Sequence, residues 1–193
     1  EVATIYNAFD QEYMQTQANE FQPDLGDYLL HVGAFCYAKA HDVLLKAYAK
    51  SSQQLPLYLL GKGELEAETK QLVDTLKLNN KVHFLGFNKN PYPFIQNAKA
   101  LVLSSRYEGF VRVVPEALAL GTSVISTDCP SGPNEVLAAK NLVAVDDIDA
   151  LAEKMNQVMQ NPSEFHVEFD SRFLPKNIAN VYWIGHTDRK SVV

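Results

Sequence analysis

The chain has 193 residues, 47% of them hydrophobic, with a formal net charge of -6 and a pI near 5.3. That length holds one sizeable core. Net acidity without a basic run argues against nucleic acid as the main partner, and no apolar stretch approaches the ~20 residues that span a bilayer.

Cys36 and Cys129 are far apart and build no disulfide framework, which makes a reducing cytoplasm the default compartment. Neither cysteine stands in a metal-ligand pattern. His31, His41, His83, His166 and His186 show no ligand spacing and read as structural or surface residues.

After an opening stretch, Val2 to Asp10, the polar segment Gln11 to Gln22 with scattered aromatics reads as a helix, and Pro23-Asp24-Leu25-Gly26 as a turn. From Tyr28 strands and helices alternate. YLLHVG is a short buried strand, DVLLKAYAK an amphipathic helix, LPLYLLG a second strand, and ELEAETKQLVDTLKL a longer helix with apolar residues at helical spacing. KVHFLGF is a third strand, PYPFIQNA a short helix started by prolines, and KALVLSS the fourth strand. After a central helix come TSVIST, a helix opening near Pro133-Asn134-Glu135, the strand NLVAV, and a helix over Ile148 to Gln160. Six short apolar strands separated by helices imply a doubly wound α/β fold, with a parallel sheet covered on both faces. Ligands in such sheets sit beyond the carboxyl ends of the strands.

Several chemistry-bearing motifs fall at those ends. Gly33-Ala34-Phe35 follows the first strand, and Lys39 beyond it is placed to meet a phosphate as a point charge. Gly61-Lys62-Gly63 follows the second and lacks the full dinucleotide fingerprint. After the fourth strand, Glu108-Gly109-Phe110-Val111-Arg112 forms a loop leading into a helix. Pro115 lacks an N–H and suits only a first helical turn, so that helix starts between Arg112 and Val114. The amides of Val111 to Val113 are then open to an anion. Glu116 reaches the same space from within the helix, and an ionised carboxylate only accepts hydrogen bonds, which suits the diol of a ribose. Gly132, in the CPSGPNE segment after the fifth strand, presents backbone to the same edge.

The stretch EGFVRVVPE, two glutamates separated by seven residues, together with SSRYEGF before it and EALALGTSVISTDCPSGPNEVL after it, resembles the signature of retaining glycosyltransferases of family 4. The resemblance implies the C-terminal, nucleotide-sugar-binding half of a GT-B fold, a Rossmann-like domain. It implies that Glu108 and the backbone from Gly109 to Arg112 hold the donor sugar and phosphate oxygens, that Glu116 holds the ribose, and that Lys39 holds the diphosphate. Gly33, Gly61 and Gly132 would wall the pocket, and Val82 to Phe84 would lie near the base. The family places an arginine directly after Gly33, where this chain has Ala34; Arg106 and Arg112 are candidates to compensate. The implied reaction moves a sugar from a nucleotide diphosphate, expected to be a UDP-hexose or UDP-N-acetylhexosamine, to an acceptor hydroxyl with retention. No cofactor and no metal are expected.

The resemblance also divides the chain into a linker and arm over 1–27, the nucleotide-sugar-binding domain over 28–161, and a C-terminal crossover helix region over 162–187. VATIYNAFD resembles the segment that joins the two family domains, so an N-terminal domain that binds an acceptor glycan or glycolipid is expected to be missing. Tyr182 and Trp183 are then expected to be exposed. One frame of a common sequencing-library adapter encodes Asp188 to Val193, and 188–193 is set aside as a non-native tail. The compartment expected is the cytoplasm, and peripheral association of the full-length protein with the inner face of the membrane stays open. Two alternatives remain: a nucleotide-sugar-binding module without catalysis, with Ala34 as its mark, or a GT-B epimerase or phosphorylase. A dehydrogenase is disfavoured because the first strand-to-helix turn lacks the glycine fingerprint.

Overall fold

A computed structural model describes residues 7–130 and 132–179. Six strands, β1 (Leu29–Val32), β2 (Leu57–Leu60), β3 (Val82–Gly86), β4 (Ala100–Leu103), β5 (Ser123–Thr127) and β6 (Leu142–Val143), form one sheet. Its order is β3-β2-β1-β4-β5-β6 and every pairing is parallel. This is the doubly wound α/β fold that the alternation implies.

Successive strand residues serve opposite faces. Leu29, Leu57, Leu59, Val102 and Ile125 join the core with α2 (His41–Lys50), α3 (Glu66–Thr75) and α7 (Ile148–Gln160). Leu30, Leu60, Leu101, Leu103 and Val124 pack on the other side with α4 (Tyr92–Asn97) and α5 (Val113–Ala119). Burial on both faces explains why the strands read as apolar runs rather than alternating ones.

α7 spans the expected residues and α5 begins at Val113, within the expected window, with Pro115 in its first turn. Most elements are shorter than their sequence patterns, and in three the cause is visible. The first helix, α1 (Gln11–Ala18), ends early because the Asn90 side-chain amide donates to the Gln17 carbonyl and to Glu20. α3 closes at Thr75, where Lys77 turns left-handed at φ 58° and the Lys77 and Leu78 amides bond back to Asp74 and Val73. β6 keeps two residues, flanked by Asn141, whose buried amide donates to Val124 and Phe165 carbonyls, and by the left-handed Asp146. The helix after β5, α6 (Pro133–Val136), is a single turn.

The two arms of the described chain meet. Phe9 donates its amide to the Phe173 carbonyl at 2.8 Å, and both rings are buried in a small cluster with Met14 and Ala119. Val2 to Tyr6, Ser131, Tyr182, Trp183 and the 188–193 tail lie outside the described residues. Among the described residues no helix is long and apolar enough to cross a membrane.

Candidate functional site

From β1 the chain winds outward to β2 and β3, then returns to build β4, β5 and β6 on the other flank. The loops after β1 and β4 therefore diverge and open a crevice at the carboxyl edge of the sheet. Gly33, Gly61, Glu108 and Gly132 all follow strands at this edge.

The loops after β1 and β2 are welded together by a backbone approach that tolerates no side chain. A Cβ on Gly61, whose φ is 155°, would lie 1.9 Å from the Gly33 carbonyl oxygen, and one on Gly63 would lie 2.4 Å from the Phe35 carbonyl oxygen. The Gly61 amide donates to Gly86 at 2.8 Å and the Phe35 amide to Lys62 at 3.2 Å. This close packing leaves a cavity of about 500 Å³ beside it. Val32, Gly33, Ala34, Leu60, Gly61 and Lys62 form one wall; Phe87, Asn88, Lys89, Pro91 and Tyr92 form the other. Its size is in the range of small-molecule sites.

At the β4 side of the crevice, Lys39 Nζ lies 2.6 Å from Glu108 Oε1, and the Ser105 hydroxyl donates to the same oxygen at 2.6 Å. Both side chains are largely buried, at 19% and 9% exposure. Ser104 locks the partner loop by donating to the Lys39 and Ala40 carbonyls. The Lys39 stem passes close beneath Gly33, where an added Cβ would touch its Cδ at 3.2 Å, so the ion pair abuts the cavity wall.

Glu116 sits on the first turn of α5, nearly buried. Burial raises its carboxyl above the ordinary carboxylate value, and the Arg112 guanidinium at 3.7 Å draws it part of the way back. The Tyr92 phenol, which lines the cavity, is raised by burial first and by the Glu116 charge next. Neither Glu108 nor Glu116 lines this cavity; the Lys39 partner of Glu108 packs behind its Gly33 wall.

The loop between them is partly committed to structure. Of the amides expected to be open, that of Arg112 donates to the Phe110 carbonyl at 3.0 Å. Among the described residues those of Val111 and Val113 take no backbone acceptor in this turn. The Phe110 ring packs against Phe9, with centroids 6.1 Å apart, so the side chain belongs to the arm cluster and only its backbone can serve a ligand. Gly109 is exposed, with open space around its Cα. Gly132 lies where a Cβ would meet Val111 Cγ1 at 2.9 Å, which presses the loop after β5 onto the start of α5.

Two sequence expectations change. Arg106 is no substitute for a cation at position 34, since its guanidinium is held by Asp42 and Asp146 and stacks on Tyr37 away from the cavity. It borders instead a separate cavity of about 250 Å³ with Cys36, Tyr37, His41 and Asp42. The β3 residues Val82 to Phe84 do not reach the main cavity; the loop beyond them, Phe87 to Lys89, does. Lys39, expected to hold the diphosphate, is ion-paired with Glu108. Lys62, Lys89 and Tyr92 were missed as lining residues, although Lys62 stands in the Gly61-Lys62-Gly63 motif.

Beneath the site lies a buried histidine pair. His31 and His41 meet edge to face at 4.6 Å, and Phe35 stacks on His41 at 4.4 Å. His31 Nδ1 bonds the Val102 carbonyl at 2.9 Å, while His31 Nε2 and both His41 nitrogens have no partner among the described residues. Among the described residues no group of three His, Cys, Asp or Glu could hold a metal ion.

Residues 15–173 match the family model described as "Glycosyl transferases group 1". The chain is 32% identical over 160 residues to the Campylobacter jejuni N-acetylgalactosamine-N,N'-diacetylbacillosaminyl-diphospho-undecaprenol 4-alpha-N-acetylgalactosaminyltransferase, covering 81% of this chain and 44% of that protein. It is 26% identical over 153 residues to the Escherichia coli lipopolysaccharide 1,6-galactosyltransferase, covering 76% and 42%. The chain thus spans less than half the length of these curated relatives. Among solved structures, the apo lipopolysaccharide outer core galactosyltransferase WaaB superposes with a TM-score of 0.80 at 22% identity, over 97% of this chain and 56% of that one. Anabaena HepE in complex with UDP-glucose gives 0.78 at 22% identity, over 93% and 57%.

Proposed function

The chain belongs to the group 1 glycosyl transferases, and from that premise we propose that it is the donor-binding half of a retaining, family 4 glycosyltransferase that uses a UDP-hexose or UDP-N-acetylhexosamine. The cavity of about 500 Å³ between the β1, β2 and β3 loops carries this reading. It is walled by glycine backbone and two lysines, with the Lys39–Glu108 pair packed behind Gly33. HepE was solved with UDP and with UDP-glucose, which supports a uridine nucleotide as the ligand class.

In this reading Glu116 accepts from the ribose hydroxyls, and Glu108, held by Lys39 and Ser105, accepts from hydroxyls of the sugar. The open amides of Val111 and Val113 face the sugar and phosphate oxygens. The bond from the anomeric carbon to the phosphate oxygen breaks and one to the acceptor oxygen forms on the same face; the acceptor proton leaves with the departing diphosphate. The chain's own contribution is to hold the donor rigidly and to stabilise charge developing on that diphosphate. The acceptor, a glycan or glycolipid, is held by a second domain, and transfer takes place on the cytoplasmic side of the membrane. The lipopolysaccharide and undecaprenol-linked relatives support an acceptor of that class.

Calorimetric titration of the purified chain with UDP and GDP tests the reading. UDP saturates one site and binds more tightly than GDP, and Glu116→Ala weakens it. A chain on which UDP gives no saturable signal ends the assignment.

A further inference from the structure

The charge inventory of the main cavity is one-sided, with two ammonium groups, Lys62 and Lys89, in its lining and no carboxylate. A nucleoside diphosphate brings at least two negative charges to this space, and the cations nearest the β1 and β4 loops are already engaged. Lys39 is paired with Glu108 at 2.6 Å, so the two together offer an incoming anion almost no net charge. Arg106 is held by Asp42 and Asp146. Arg112 stands over the Phe9 ring, 3.7 Å from Glu116. Ala34 lines the cavity with a methyl group alone.

Lys62 is differently placed. Its ammonium rests 4.9 Å from the centre of the Phe87 ring, a weak cation–π hold on a residue that itself lines the cavity. Among the described residues it forms no ion pair. Its backbone is fixed beside Ala34: the Lys62 carbonyl accepts from the Phe35 amide at 3.2 Å, and Gly61 is pinned against Gly33. The side chain therefore starts from a rigid point at the cavity wall and needs only to rotate off Phe87 to meet an anion.

We propose that Lys62 is the residue that receives the donor's diphosphate in this chain, from the adjacent loop, where position 34 supplies no charge. The proposal rests on the reading of the cavity as a nucleotide-sugar site, and it makes the loop after β2 a determinant of donor binding rather than a plain turn. Lys89, on the opposite wall, has no comparable anchor and is secondary.

The test is an NMR titration of the purified chain with UDP and, separately, with uridine, which lacks the phosphates. Lys62→Gln weakens UDP about tenfold, as expected for loss of one charge-assisted contact, and leaves uridine unchanged. Lys62→Arg keeps UDP affinity, and Lys140→Gln, an exposed lysine on the far side, matches the parent for both ligands. If Lys62→Gln binds UDP as tightly as the parent, the role of Lys62 falls while the cavity keeps its nucleotide. If Lys62→Gln weakens uridine as much as UDP, the residue acts through loop structure and the phosphate role is equally lost. If the parent chain binds neither ligand, the nucleotide-sugar reading itself fails and takes this proposal with it.

Discussion

Lys39 and Glu108, 69 residues apart in sequence, meet at 2.6 Å across the crevice between the β1 and β4 loops, and Ser105 completes the carboxylate's coordination. The pair joins the two loops that diverge at the switch point of the sheet, so it fixes the width of the site before any ligand enters. Removing the cation leaves a mostly buried carboxylate with a hydroxyl as its remaining side-chain partner. Lys39→Met is therefore expected to cost about 2 kcal/mol of stability, read from urea denaturation. Glu108→Gln keeps the Ser105 contact and costs less. If Glu108 serves the sugar, Glu108→Gln also weakens UDP-glucose about tenfold while UDP binds as before, and equal losses for both ligands would remove the sugar-holding role.

A methyl group discriminates between two glycines of the site. At Gly61 an added Cβ would lie 1.9 Å from the Gly33 carbonyl oxygen, which is backbone and cannot step aside. Gly61→Ala should force the β1 and β2 loops apart, destabilise the chain by more than ~2 kcal/mol and abolish UDP binding. Gly109→Ala adds its methyl to open space and should leave melting temperature and UDP affinity close to the parent's. Thermal unfolding of both variants decides whether the backbone weld is real.

The ends of the first four strands were legible in the sequence because each apolar run closes on glycine or serine, and the Ile148 to Gln160 helix because its apolar stripe is unbroken. Helix ends were not legible where a distant residue sets them: Asn90 closes the first helix from 73 residues away. The site divides in the same manner. Local motifs gave Gly33 and Gly61, which line the cavity, whereas the partners of Arg106, 64 and 40 residues distant, turn it out of the cavity. Lys62 could have been found by reading its motif as a wall that carries a charge instead of as a glycine pair.

Glu116 sets stability against function. Its carboxyl is raised by burial, with Arg112 opposing, so its ionised form costs stability. With the folded-state value above the unfolded one, the cost is absent below the unfolded value and develops as pH rises through the folded value. At neutral pH Glu116→Gln removes the buried charge, and the variant is expected to melt higher than the parent, with the gain vanishing at low pH. If Glu116 accepts from the ribose, as proposed, the same change should weaken UDP, because an acceptor-only group is replaced by one that also donates. Paired melting curves and titrations at pH 7 and pH 4 would show the two effects moving in opposite directions; a lower melting temperature at pH 7 would mean that Arg112 already stabilises the ionised group.

His41 gives the fold its sensitivity to acid. Burial lowers its pKa to about 4, the Lys39 ammonium adding to that effect and Asp42 opposing it. His31 beside it is also lowered, by burial first and by His41 next, against the hydrogen bond that its Nδ1–H donates to the Val102 carbonyl. Both rings are neutral in the folded chain at neutral pH, while the unfolded chain takes up protons near pH 6.5. Stability is therefore full above about pH 6.5 and is lost as pH falls toward 4, because there the unfolded state binds more protons. For His41 the loss across that window is on the order of 3 kcal/mol. His41→Phe keeps a ring stacked on Phe35 and removes two buried nitrogens that have no partner. The variant should match or exceed the parent's stability at pH 7.5 and exceed it at pH 4.5, by urea denaturation at both values. An unchanged difference between the two pH values would transfer the acid sensitivity to His31 or to carboxylates elsewhere.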